Sequence, residues 1–150
     1  MSNNEKIPWD NRYTLGIETL DTQHKKLFAL VNRLYDLDEH KNTKEDLRII
    51  LYEFSEYMKT HFKEEEEYMS SIGYDKLYEH KELHKELIDY LAFVIKSPAK
   101  LEIIKTKMRV VAKRALIDHI MNEDTKIKLF VIENDCDEEM IFDISDMTAD

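Results

Sequence analysis

Residues 61–84 read HFKEEEEYMSSIGYDKLYEHKELH. His61 and Glu65 stand four apart, Gly73 follows, and His80 and His84 again stand four apart. A four-residue step on an α-helix advances about one turn, so each pair projects from one face. If the chain reverses at Gly73, both pairs lie at the same height, about 15 Å along two antiparallel helices. One hairpin then carries four metal-ligand side chains.

Helical periodicity extends through the rest of the chain. Leu20, His24, Leu27, Phe28, Val31, Leu34 and Tyr35 follow three- and four-residue steps and predict a first helix, with Thr19 or Asp21 as its cap. Thr43 and Asp46 offer a capping box for a second helix, which bears Leu47 to Met69 and stops near Ile72 and Gly73. A third helix begins at about Asp75. Ser97 and Pro98 resemble an N-cap and first helical position for a fourth. That reading conflicts with register, because the histidine on helix four would lie some 12 Å beyond those on helix three. The expectation is an irregular turn reaching Leu101 or later. His119 and Asp124 are five apart, a step that rotates them away from each other on an ideal helix and predicts a local π-bulge.

The fold class is therefore all-α, an up-down-up-down antiparallel four-helix bundle. An N-terminal arm precedes it, with Trp9 plugging one end of the helices, and an acidic C-terminal tail follows. The bundle and arm are assigned to residues 1–132 and the tail to 133–150, where eight acidic residues occur without Lys or Arg. Met140, Ile141, Phe142 and Ile144 interrupt that tail and predict a partly anchored apolar patch in a solvated segment, with docking of an unidentified protein partner as the alternative.

Composition agrees. In 150 residues there are only two Gly and two Pro, which disfavours a turn-rich β architecture. The formal charge of −10 disfavours nucleic acid as a partner. No apolar run approaches the ~20 residues of a membrane helix, no secretory signal is visible, and the single Cys136 cannot form an internal disulfide. A cytoplasmic, monomeric protein is expected.

Five of the six histidines fall on predicted apolar stripes, and only His40 does not. One histidine on such a face is usually a hydrogen-bonded core residue. Five, accompanied by Glu65 and Asp124, are too costly to bury without a cation. Imidazoles and carboxylates without thiolates suit iron, manganese or zinc, and seven ligands overfill a single tetrahedral zinc. Two six-coordinate ions offer twelve positions. Five imidazoles, two bridging carboxylates and a shared oxo or hydroxo group fill eleven. His80, His84 and His119 complete one ion, and His24 with His61 leaves the other one ligand short.

The runs GIETLDTQHKKLFALVNRL, HFKEEEEYM, GYDKLYEHKELHKEL and HIMNED closely resemble the hemerythrin family, in particular its single-domain bacterial members. The family pattern of a first-helix His, H-x-x-x-E, H-x-x-x-H and H-x-x-x-x-D is matched at all seven positions, over about residues 7–132. The resemblance implies two Fe ions (Fe2+/Fe3+) bridged by Glu65, Asp124 and an oxo or hydroxo group. It places His80, His84 and His119 on one iron, and His24 and His61 on the other. It further implies reversible O2 binding, as hydroperoxide on the iron of His24 and His61. Phe28, Phe62, Leu116 and Ile120 are the candidates for an apolar wall that keeps water and protons out. Ala115 stands where many members carry a Trp; the smaller side chain either opens the pocket or lets another group fill it. Two other classes share these residues: a di-iron enzyme of peroxidase or nitric oxide reductase type, and an O2-sensing interaction module. Iron storage is a third. Ferritin-like sites use Glu-x-x-His, which no histidine here satisfies.

Overall fold

The computed structural model describes residues 6–42 and 44–134. Helix α1 spans Glu18–Asn32 and continues as a 3-10 turn over Arg33–Asp36; α2 spans Lys44–Ser71, and α3 Leu77–Lys96. Helix α4, Leu101–Ala112, runs through two π-helical segments, Lys113–Asp118 and Ile120–Asp124, into α5, Thr125–Glu133. These last pieces form one rod. Helix α1 packs on α2, α2 on α3 and α3 on α4, while α4 closes back on α1. The architecture is the all-helical four-helix bundle, and no strand occurs among the described residues.

The core follows the stripes. Leu27, Val31, Leu34 and Tyr35 from the first rod meet Phe54 and Met58 of α2, Leu91 and Val94 of α3, and Met108, Val111 and Leu116 of the fourth rod, all buried in one cluster. Burying such side chains is worth roughly 1.5–3 kcal/mol each. Lys105 is also buried: its Nζ donates to the Leu37 carbonyl at 2.7 Å, while the Tyr35 hydroxyl donates to the Lys105 carbonyl at 2.9 Å. This exchange ties the end of the first rod to α4.

The turn at Gly73 is a Schellman motif. Gly73 has φ +67°, its N–H donates to the Ser70 carbonyl at 3.1 Å, and the Tyr74 N–H donates to the Met69 carbonyl at 2.9 Å. Buried Met69 and Tyr74 pack with Ile127 to seal that end.

Helix starts differ from the sequence reading. Asp21 does not cap α1; it lies in the first turn and accepts from the Leu15 and Gly16 N–H groups at 2.8 and 3.0 Å, closing the preceding loop. Ser97 does not cap α4 either. It terminates α3, its hydroxyl donating to the Phe93 carbonyl at 2.7 Å, and α4 starts at Leu101 behind Lys100. The expected longer turn is present, because Pro98 follows a chain already extended at Ser97. The expected capping role of Thr43, and the apolar patch at 140–144, lie outside the described residues.

The described part of the arm is pinned to the bundle. Ile7 and Asn32 exchange two hydrogen bonds, at 2.7 and 2.8 Å. Trp9 is half-buried rather than a core plug: it packs edge-on against Tyr13 and Phe28, each at 5.4 Å, while Ile7, Tyr13 and Leu15 are the buried anchors.

Candidate metal centre

Every side chain singled out by spacing converges at mid-bundle. His24 comes from α1, His61 and Glu65 from α2, His80 and His84 from α3, and His119 and Asp124 from the π-helical stretch. Glu65 and Asp124 have no exposed surface and no imidazole exceeds 6 % exposure. The π geometry explains the last pair. Hydrogen bonding from i to i+5 widens the turn, so residues five apart face the same way, and His119 Nε2 reaches Asp124 Oδ1 at 3.2 Å. The distortion is longer than a single bulge, beginning at Lys113.

The two carboxylates divide their oxygens. Glu65 turns Oε1 to His80 Nε2 (3.1 Å) and His84 Nε2 (3.0 Å), and Oε2 to His24 Nε2 and His61 Nε2 (3.5 Å each). Asp124 turns Oδ1 to His80 Nε2 (3.0 Å) and His119 Nε2 (3.2 Å), and Oδ2 to His24 Nε2 (3.1 Å). Two overlapping sets result, each with ligand atoms within 4.8 Å of one another: Glu65, His80, His84, His119 and Asp124; and His24, His61, Glu65 and Asp124. The sets share both carboxylates.

Protein groups alone do not satisfy this cluster. His119 Nε2 lies 3.1 Å from both His80 Nε2 and His84 Nε2. Three neutral rings with their lone pairs turned inward would repel, so either a proton on one Nε2 or a bound cation must lie between them. Both nitrogens of His24, Oε2 of Glu65 and both oxygens of Asp124 are buried without a hydrogen-bond partner, since their close approaches are misaligned. Buried polar atoms are rarely left so. A bound cation answers both features, and the donor set fits one.

Charge is already polarised here. Burial opposes ionisation of His24, but the carboxylates of Asp124 and Glu65 outweigh it and raise its pKa to about 10. Burial likewise opposes a charged His80, and the same two carboxylates raise it to about 9. His61 is pushed down to about 4, chiefly by burial. Burial would raise both Glu65 and Asp124, and the Asp124 charge adds to this at Glu65; the surrounding imidazoles hold both below the usual carboxylate range. Positive charge thus belongs between the rings.

The surroundings contain residues that sequence reasoning missed. His61 Nδ1 lies 2.6 Å from Gln23 Oε1, and His84 Nδ1 lies 2.8 Å from Glu66 Oε2. Gln23 adjoins His24, and Glu66 is one of four consecutive glutamates, so periodicity could not separate them from solvent-facing neighbours. Of the expected apolar wall, Phe62 stacks on His84, while Phe28 packs on Trp9 and Tyr13; Leu116, Ile120 and Ala115 are buried.

Comparison with known proteins points the same way. The family model "Hemerythrin HHE cation binding domain" matches residues 15–130. The chain is 34 % identical to a bacteriohemerythrin of Campylobacter jejuni over 129 residues, covering 85 % of this chain and 92 % of that protein. A bacteriohemerythrin of Clostridium acetobutylicum is 39 % identical over 83 residues, covering 53 % of this chain; the match spans 64 % of that protein's length, just under two thirds. A myohemerythrin of Theromyzon tessulatum is 34 % identical over 124 residues, 83 % of this chain and 92 % of that protein. With the helices, the buried His/Glu/Asp cluster and the matched span all in agreement, the chain belongs to the hemerythrin family.

Proposed function

We propose that this protein binds O2 reversibly at a pair of iron ions held by His24, His61, Glu65, His80, His84, His119 and Asp124. The observation that carries the reading is the division of oxygens: Glu65 and Asp124 each present one oxygen to the three-imidazole set and the other to the two-imidazole set. That is the posture of a carboxylate bridging two cations. Spacing supports six-coordinate ions. Six contacts between ligand atoms of the three-imidazole set measure 3.0–3.2 Å. Metal–nitrogen bonds of ~2.1 Å give edges of about 3.0 Å in an octahedron and about 3.4 Å in a tetrahedron.

An iron pair, when bound, supplies the electrons for reversible O2 capture. The protein supplies inequality and dryness. His24 and His61 offer one imidazole fewer than the opposite set, so a six-coordinate ion held there would have room for a small ligand. Phe62 covers His84, and buried Leu116 and Ile120 belong to the same apolar core, limiting water and protons that would turn capture into oxidation. Five imidazoles against two carboxylates keep the site less anionic than a carboxylate-rich one, favouring the ferrous pair.

The test is metal analysis of protein purified under iron-replete conditions, followed by anaerobic reduction and repeated O2 and argon cycles. Two irons per chain and an optical change that reverses over many cycles support carriage. One irreversible oxidation per reduction indicates an enzyme instead, and a protein that stays colourless in air after iron loading ends the proposal.

A further inference from the structure

The rings of His61 and His84 are held from behind by unlike acceptors. His84 Nδ1 meets the carboxylate of Glu66 at 2.8 Å. His61 Nδ1 meets the amide oxygen of Gln23 at 2.6 Å. The amide cannot turn over freely, because Gln23 Nε2 donates to Glu64 Oε1 at 2.7 Å and so directs Oε1 at the ring. Both contacts require a proton on Nδ1, which leaves the Nε2 lone pair aimed at Glu65. The acceptors differ in charge. A carboxylate draws the Nδ1 proton more strongly than an amide does, making the opposite nitrogen a stronger donor. Stacking on Phe62, with planes 7° from parallel, keeps the His84 ring in that orientation.

We infer that Glu66 and Gln23 are positioning residues that make the two metal positions electronically unequal, with His84 the stronger donor and His61 the weaker. This rests on the reading of the cluster as a di-iron centre. With iron bound, Glu66 would favour the ferric state on the three-imidazole side. Gln23 places a neutral amide between the Glu64 carboxylate and His61, which would leave the two-imidazole side with the weaker donor and the more readily retained ferrous ion.

The experiment compares the full chain with Glu66→Gln and with the double exchange Gln23→Glu/Glu64→Gln, which keeps a donor and an acceptor in the outer pair while moving the carboxylate onto His61. Iron per chain is measured first, then the midpoint potential of the iron couple and the rate of iron loss to a chelator. The expected result is a higher midpoint potential for Glu66→Gln and a lower one for the double exchange, with iron affinity falling on the order of 10-fold in Glu66→Gln. Opposite signs are the signature of donor strength, because structural damage moves both variants alike. Equal potentials, or shifts of the same sign, overturn the inference while leaving the di-iron reading intact. A wild-type chain that takes up no iron overturns the underlying reading and the inference with it.

Discussion

Phe62 lies flat on His84, with ring centroids 3.7 Å apart. Phe62 follows His61 on α2, so one residue faces the cluster and the next covers the imidazole of the neighbouring helix. Its ring is buried, and His61 and His119 also border it at 5.7 and 5.9 Å. Phe62→Ala removes this wall and leaves a cavity, with an expected loss of about 3–5 kcal/mol. Urea unfolding of the metal-free protein measures it. A loss below about 1 kcal/mol would mean that the ring is not packed as described.

In the turn that sets α2 and α3 in register, the need for glycine rests on backbone conformation alone. At Gly73, φ is +67° and an added Cβ would meet no atom within 4 Å. Gly73→Ala is therefore expected to cost about 1–2 kcal/mol, the penalty of left-handed backbone for a residue with a Cβ. Gly73→Asn should cost less, since Asn tolerates that region. Thermal unfolding of the two variants side by side checks the order, and equal losses would contradict it.

Much of this was legible in the sequence because few features were ambiguous. His61, Glu65, His80 and His84 sit in two four-residue steps around one glycine, and a helical hairpin is the arrangement that brings all four inward. The start of the fourth rod was legible from register, which called for a turn reaching Leu101 or later, and not from local signals. Ser-Pro is a common helix opening, but Ser97 bonds backward to Phe93 and closes α3 instead. The five-residue step from His119 to Asp124 signalled a widened turn, yet nothing in the Lys113–Asp118 segment signals that the widening begins a full turn earlier. Each π turn takes up an additional residue, which helps to absorb the offset between ligands on α3 and the fourth rod. The outer partners Gln23 and Glu66 depend on side-chain direction across helices, which spacing along one helix does not reveal.

The arm is held by a side chain with two polar ends. Asn32 accepts from the Ile7 N–H through Oδ1 and donates to the Ile7 carbonyl through Nδ2, where the chain crosses the end of α1. Asn32→Ala deletes both bonds and leaves the half-buried backbone groups of Ile7 to find water. A loss of about 1–3 kcal/mol is expected. Hydrogen exchange at the Ile7 amide should quicken while exchange at α3 amides changes only with the global loss. Unchanged protection at Ile7 would refute the clamp.

Metal removal is expected to act on stability as well as on colour. Without a cation, the buried oxygens of Asp124 and the nitrogens of His24 lack hydrogen-bond partners, and the Nε2 atoms of His80, His84 and His119 crowd one another. A metal bound only by the folded chain adds about 2.7 kcal/mol at a free concentration 100 times its dissociation constant. For a chain of this size that is roughly 5–10 °C in unfolding temperature, taking ~2–4 °C per kcal/mol. Chelator-treated protein should therefore melt lower than iron-loaded protein, and anaerobic Fe2+ should restore the difference. His24→Ala, which removes one imidazole from the two-imidazole set, should shrink the metal-dependent increment. Coincident melting curves with and without iron would show that the cluster satisfies itself by protonation and gains nothing from a cation.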